Sequence, residues 1–155
     1  MNEQENTISF FRFEDLRVYD KALNYIKWLN ETMAKSLEKE KFKVSRSLLE
    51  SAQDIALNIA EGSARSKAQF IYYLKMAKSS IRECVVYTEL ASSYGILDEN
   101  EKEYSRTQLM ELTKMIGSLV ASLQRTVRPT RDYDDELPTE RSGNYLPEED
   151  DDMPL

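Results

Sequence analysis

The first 128 residues contain no proline; Pro129, Pro138, Pro147 and Pro154 all fall in the stretch 129–155. Proline removes a backbone donor and clashes with the preceding helical turn, so a long chain without it leaves helices free to run on. The apolar residues use that freedom. Leu16, Tyr19, Leu23, Ile26, Met33 and Leu37 recur at three- and four-residue spacing, with Trp28 and Leu29 widening the stripe. That period is helical and predicts a first helix over about 14–38. Glu14 and Asp15 would stand in its first turn, where the helix dipole favours acids. The alternating charges of 38–43 read as a solvated connection.

A second stripe, Leu48, Leu49, Ala52, Ile55, Ala56 and Ile59, predicts a helix over about 45–61. Val44 and Leu49 are placed to staple its start at Ser45. Ala52, Ala56 and Ala60 are small at four-residue spacing and would let a neighbouring helix come close. Gly62 follows the last apolar residue, where a left-handed residue is wanted at a helix end. Ser66 and Gln69 form a capping-box pair, so a third helix is expected from Lys67 to about Tyr94, closed by Gly95 and about 40 Å long. Its buried face would carry Phe70, Leu74, Ala77, Ile81, Cys84 and Val85. Asp98 and Glu101 form another capping pair. They open a fourth helix with Leu109, Leu112, Met115, Ile116, Leu119, Val120 and Leu123 on its stripe, ending by Arg128 because Pro129 disfavours helix before it.

Four amphipathic helices on short links predict an all-α, antiparallel up-down-up-down four-helix bundle. The chain divides into an N-terminal arm (1–12), the bundle (13–128) and an acidic, disordered tail (129–155). Charge follows the same division. The tail holds 10 acidic and 2 basic residues, whereas the preceding 128 residues hold 18 acidic and 19 basic ones, so the overall charge of −7 belongs to the tail. The acidic balance therefore does not exclude nucleic-acid binding by the bundle.

The chain has no histidine and one cysteine, Cys84. The commonest general base, the commonest zinc ligand and any intrachain disulfide are thereby absent. Cys84 falls within a helical apolar stripe and reads as a small buried hydrophobe. Neither a catalytic site, a metal site nor a cofactor site is expected. With a polar N-terminus and no apolar run near ~20 residues, the expectation is a cytoplasmic protein without membrane contact.

The most informative chemical feature is the interval between Glu61 and Glu83, which holds five bases and no acid: Arg65, Lys67, Lys75, Lys78 and Arg82. Lys75, Lys78 and Arg82 stand at i, i+3 and i+7 and are expected on one solvated helix face. Such a row suits phosphates of RNA or DNA, with Tyr72 or Tyr73 available for stacking. The same row also suits an ordinary solvated face, or one that pairs with the acidic tail or a protein. Asn58, Glu61 and Gly62 are expected to fix the corner before this row. Glu61 would pair with Arg65 or with backbone N–H groups, and Asn58 would reach across to Ser79 or Ser80. Nine tyrosines also favour subunit contacts.

Three ordered motifs resemble a known family: Phe13-Glu14-Asp15-Leu16-Arg17-Val18-Tyr19, Asn58-Ile59-Ala60-Glu61-Gly62, and Ser66 with Phe70, Leu74 and Ala77-Lys78-Ser79-Ser80-Ile81-Arg82-Glu83. Over roughly 13–125 the chain looks like the bacterial four-helix-bundle proteins encoded in intervening sequences of large-subunit ribosomal RNA genes. The resemblance implies an antiparallel bundle assembling as a homopentamer with a central channel. That family is in turn similar to accessory proteins of diversity-generating retroelements, which are pentameric, basic, and bind nucleic acid and a reverse transcriptase. The acidic tail has no part in the resemblance.

The expected function is a non-enzymatic, oligomeric bundle that binds RNA or DNA through Arg65, Lys67, Lys75, Lys78 and Arg82. The alternative is a protein-interaction scaffold without nucleic-acid binding.

Overall fold

The structure, a computed structural model, describes residues 9–34 and 39–126. These form a short 3-10 helix, Arg12–Asp15, followed by α1 (Arg17–Met33), α2 (Lys39–Ser63), α3 (Lys67–Ser93) and α4 (Glu99–Thr126). Each helix packs on the next in the chain, and α1 returns to α4, so the four close a ring around one core. The four-helix, all-α fold is the one the stripes predict. The expected arm at 1–8, the end of the first helix with Leu37, and the acidic tail lie outside the described residues.

The helix starts that carry capping chemistry stand where the sequence puts them. The Ser66 hydroxyl accepts from the Gln69 backbone N–H at 3.3 Å and opens α3. At α4 the capping is reciprocal: Glu101 N–H donates to Asp98 Oδ1 at 2.8 Å, and Asp98 N–H donates to Glu101 Oε1 at 3.0 Å. Gly95 takes φ +71 just beyond α3, a conformation that side chains with a Cβ resist.

Four local expectations are corrected. First, α1 starts at Arg17, because Leu16 is extended (φ −80, ψ 123) and separates it from the 3-10 turn that holds Glu14 and Asp15. The break folds Phe13 back against Tyr19, with ring centroids 5.1 Å apart, and Phe11 stands 5.8 Å from Phe13. Second, α2 starts at Lys39, not Ser45. Lysine and glutamate are good helix formers, and alternating charge contains no breaker. Ser45 is therefore interior to the helix, and its hydroxyl finds no partner among the described residues.

Third, Gly62 is helical, inside α2. A Cβ built there would lie 2.5 Å from Tyr73 Cβ and 2.9 Å from Phe70 Cδ2. Glycine stands at this position because α3 crosses too closely for any side chain, not because a left-handed residue is needed. Fourth, the buried face of α1 keeps Leu29 and Met33 of the predicted stripe but is otherwise rotated from it. Val18, Ala22, Tyr25, Leu29 and Met33 are buried, while Leu16, Tyr19, Leu23 and Ile26 pack beside them half-covered. The apolar arc of α1 is broad, and its centre is set by what Tyr25 meets.

Tyr25 is the largest fully buried side chain of α1. Its hydroxyl stands 2.7 Å from Ser105 Oγ of α4, which stands 2.8 Å from Thr88 Oγ1 of α3. Three helices thus share one buried hydroxyl chain within an otherwise apolar core of Leu48, Ile55, Ile59, Leu74, Ile81, Leu109, Leu112 and Ile116. Burial pushes the Tyr25 phenol well above its ordinary value, as it does the Cys84 thiol. The α2–α3 seam is the most extensive, since Ala52, Ala56, Gly62 and Ala77 let the backbones approach. Among the described residues no helix is long and apolar enough to cross a membrane.

Candidate nucleic-acid interface

Polar ties at the helix seams fix which way each flank of α3 faces. Ser51 of α2 donates to Glu83 at 3.1 Å, so the Glu83 flank faces α2. Glu89 accepts from Arg106 of α4 at 2.7 Å and lies 3.5 Å from Lys102, so the Glu89 flank faces α4. Arg82 and Lys75 precede Glu89 by seven and fourteen residues. Two helical turns take about seven residues, so they continue the Glu89 flank along the α4 side.

This flank does not hold all five expected cations. Arg82 and Lys67 are exposed and Lys75 is half-covered, but Lys78 is only 7% exposed. The expectation of a solvated Lys78 is thus corrected. Lys78 follows Leu74 by four residues and precedes Ile81 by three, and both are fully buried. Its stem consequently lies on the core side of the flank. The i, i+3, i+7 spacing puts Lys75 and Arg82 on one edge, but at its middle position the helix has already turned inward.

Arg65 is exposed but held at the corner. Its Nε donates to Glu61 Oε1 at 3.1 Å, Nη2 donates to the same oxygen at 2.5 Å, and the guanidinium lies 5.7 Å from the Tyr73 ring centroid. The hydrogen bond it donates to Glu61, with smaller help from Tyr73, raises its affinity for the proton. Glu61 thereby has the local partner that an anion at a helix C-terminus needs. Asn58 does not reach Ser79 or Ser80; its side chain donates to Asp54 O, 2.9 Å away in its own helix. Ser80 instead bonds the Met76 carbonyl, and Ser79 accepts from Arg82 at 3.2 Å. Tyr72, one turn before Lys75, is partly exposed and meets Tyr73 edge-on at 5.6 Å.

The structure adds a part of the site that attention to α3 alone misses. The α4 side of the same seam runs from Arg106 through Thr113, Gly117 and Gln124, at spacings of seven, four and seven. No acid occurs in α4 after Glu111, and Glu111 itself pairs with Lys21 of α1 on another seam. A Cβ built at Gly117 would meet nothing within 4 Å, so the edge is open there. Counting acids along α4, as along α3, would have found it. Below Glu89 the α3–α4 edge is therefore acid-free on both helices and carries Lys67, Lys75 and Arg82. The α1–α4 seam has Asp20 and Glu111, and the α2–α3 seam has Glu61 and Glu83.

A second surface of α3 is exposed and partly apolar. Tyr72, Met76, Ser79, Glu83, Val86 and Leu90 alternate four- and three-residue steps, and Val86 is 58% exposed. This is the spacing of a coiled-coil seam; Glu83 within it is bonded by Ser51 of α2, while Tyr72, Met76, Val86 and Leu90 are exposed.

A family model described as 23S rRNA-intervening sequence protein matches residues 14–118. No curated protein matches the chain.

Proposed function

The chain belongs to the 23S rRNA-intervening sequence protein family, and from that premise we propose that it is a cytoplasmic, non-enzymatic bundle that assembles with its own copies and binds RNA or DNA. The observation that carries the nucleic-acid reading is the acid-free α3–α4 edge. Lys67 and Arg82 are exposed on it, fifteen residues or about 22 Å apart along the helix. Lys75 lies between them, and Tyr72 beside it offers a ring for stacking. Such an edge meets a phosphate backbone by charge and discriminates little between base sequences. Its binding is therefore expected to weaken steeply with salt. Reversing Lys67, Lys75 and Arg82 to Glu should abolish it, as read by filter binding with a structured RNA at two salt concentrations. Affinity that survives both changes rejects this edge.

The absence of catalysis is supported by a chain with no histidine and by a sole thiol that is buried and held protonated. Self-association is supported by the exposed apolar spacing on α3, which is also the observation favouring the second reading, a protein-interaction scaffold. The resemblance implies five subunits, and sedimentation mass tests that number. A scaffold that binds no nucleic acid at low salt, yet loses assembly when Val86 and Leu90 become Ser, decides for the second reading.

A further inference from the structure

The acid-free edge has a partner of opposite charge on the same chain. The α4 helix is described to Thr126, and six residues further the sequence enters Asp132, Tyr133, Asp134, Asp135 and Glu136. The antiparallel packing fixes where that departure point lies. Arg106 stands at Glu89. From there α4 runs twenty residues to Thr126 while α3 runs twenty-two back to Lys67, about 30 Å and 33 Å at 1.5 Å per residue. The two helix ends are therefore nearly level, and the chain leaves the bundle beside Lys67.

Six residues span at most about 20 Å. Residues 132–136 thus reach the stretch from Lys67 to Lys75 without strain, and one more extended pair of residues reaches Arg82. Of the other seams, the α2–α3 one presents Glu61 near this end, and the α1–α4 one holds Asp20 and Glu111 among Arg17, Lys21 and Lys114, with Glu111 fifteen residues back from Thr126. The α3–α4 edge presents no acid. A tethered segment acts at an effective concentration on the order of mM, which compensates for the weakness of exposed charge pairs.

We propose that residues 132–136 dock intramolecularly on the α3–α4 edge along Lys67, Lys75 and Arg82, and that they compete there with nucleic acid. The docking stands on charge and reach alone; the competition rests on the nucleic-acid reading above. The edge is then self-occluded at low salt, and any nucleic acid binds by displacing the segment.

The test uses the full chain with a spin label on Thr139→Cys, the buried Cys84 being inaccessible to the reagent. At low salt, broadening of backbone amide signals is expected to concentrate on the edge from Lys67 to Arg82. It should vanish at high salt and in the variant carrying Asp132→Asn, Asp134→Asn, Asp135→Asn and Glu136→Gln. Broadening that is absent, spread evenly over the four helices, or seen only between labelled and unlabelled copies overturns the docking. The same four substitutions, in unlabelled chain, are expected to tighten binding of a structured RNA about fivefold at low salt. Unchanged RNA affinity overturns the competition. Failure of either form to bind RNA overturns it along with the nucleic-acid reading, and the docking is then judged on the broadening alone.

Discussion

The hydroxyl of Tyr25 lies 2.7 Å from Ser105 Oγ, joining residues eighty apart in the chain inside an apolar core. Ser105 is the shared member, since it also meets Thr88 at 2.8 Å. Removing the end of a hydrogen-bonded chain differs from removing its middle. Tyr25→Phe leaves Ser105 and Thr88 bonded to each other and should cost about 1 kcal/mol. Ser105→Ala leaves two buried hydroxyls without this partner and should cost about 2–3 kcal/mol. Urea midpoints at constant m-value check the order, and equal costs would show that the three hydroxyls are not energetically linked.

Gly62 and Gly117 make a matched pair. Glycine inside a helix ordinarily costs about 0.5–1 kcal/mol relative to alanine. Gly117→Ala should recover that amount, because its Cβ would enter open space. Gly62→Ala should instead destabilise by about 1–3 kcal/mol, because the new Cβ would press on Tyr73 Cβ at 2.5 Å. Thermal midpoints moving in opposite directions are the expected result.

Alkaline stability follows from two buried acids held neutral. The Cys84 thiol has an ordinary value of 9.0 and the Tyr25 phenol 10.0, and burial raises both in the folded chain. Above pH 9 the unfolded chain gives up the Cys84 proton while the folded chain keeps it. The unfolded state then binds fewer protons, and stability falls as pH rises. The slope should approach about 1.4 kcal/mol per pH unit for each group. Denaturation of Cys84→Ala across this range should show the fall beginning near the phenol's value instead.

The nucleic-acid edge makes a graded prediction in salt. Each phosphate contact on a single strand contributes a slope of about −0.7 in log K against log salt. Three cations therefore predict a slope near −2, and Lys67→Glu should flatten it by about one contact while weakening all base sequences alike. Arg65→Glu, which breaks the corner pair with Glu61, should act mainly on stability. Titrations at several salt concentrations separate the two effects.

What the sequence made legible was whatever rests on local chemistry. Ser66, Asp98 with Glu101, and Gly95 announce helix ends through side chains that act within four residues, so the α3 start and the α4 start were readable. The stripes of α2, α3 and α4 were likewise readable, because each has a dense apolar face. Most of the misses depend on a neighbour; the α2 start at Lys39 does not, since it follows from the helix-forming residues of 39–43 themselves. The sequence around Gly62 gives two identical signals, a helix end and a close crossing, and only Tyr73 chooses between them. Lys78 matches the exposed spacing of Lys75 and Arg82, yet it leans inward because Leu74 and Ile81 do. The α1 stripe was drawn through its larger residues, whereas the core selected Ala22 and Tyr25. The α4 half of the edge was visible in the sequence as an absence of acids, but only the packing of α4 on α3 made that absence part of a site.

The α1–α4 seam is tied by Lys21 with Gln108 and by Tyr25 with Ser105, partners 87 and 80 residues apart. During synthesis at about 5–20 residues per second, α1 emerges several seconds before the helix that covers its second flank exists. Until then the Tyr25 hydroxyl lacks its α4 partner Ser105. The ring of four helices therefore cannot close until α4 has been synthesised, however early α1, α2 and α3 form.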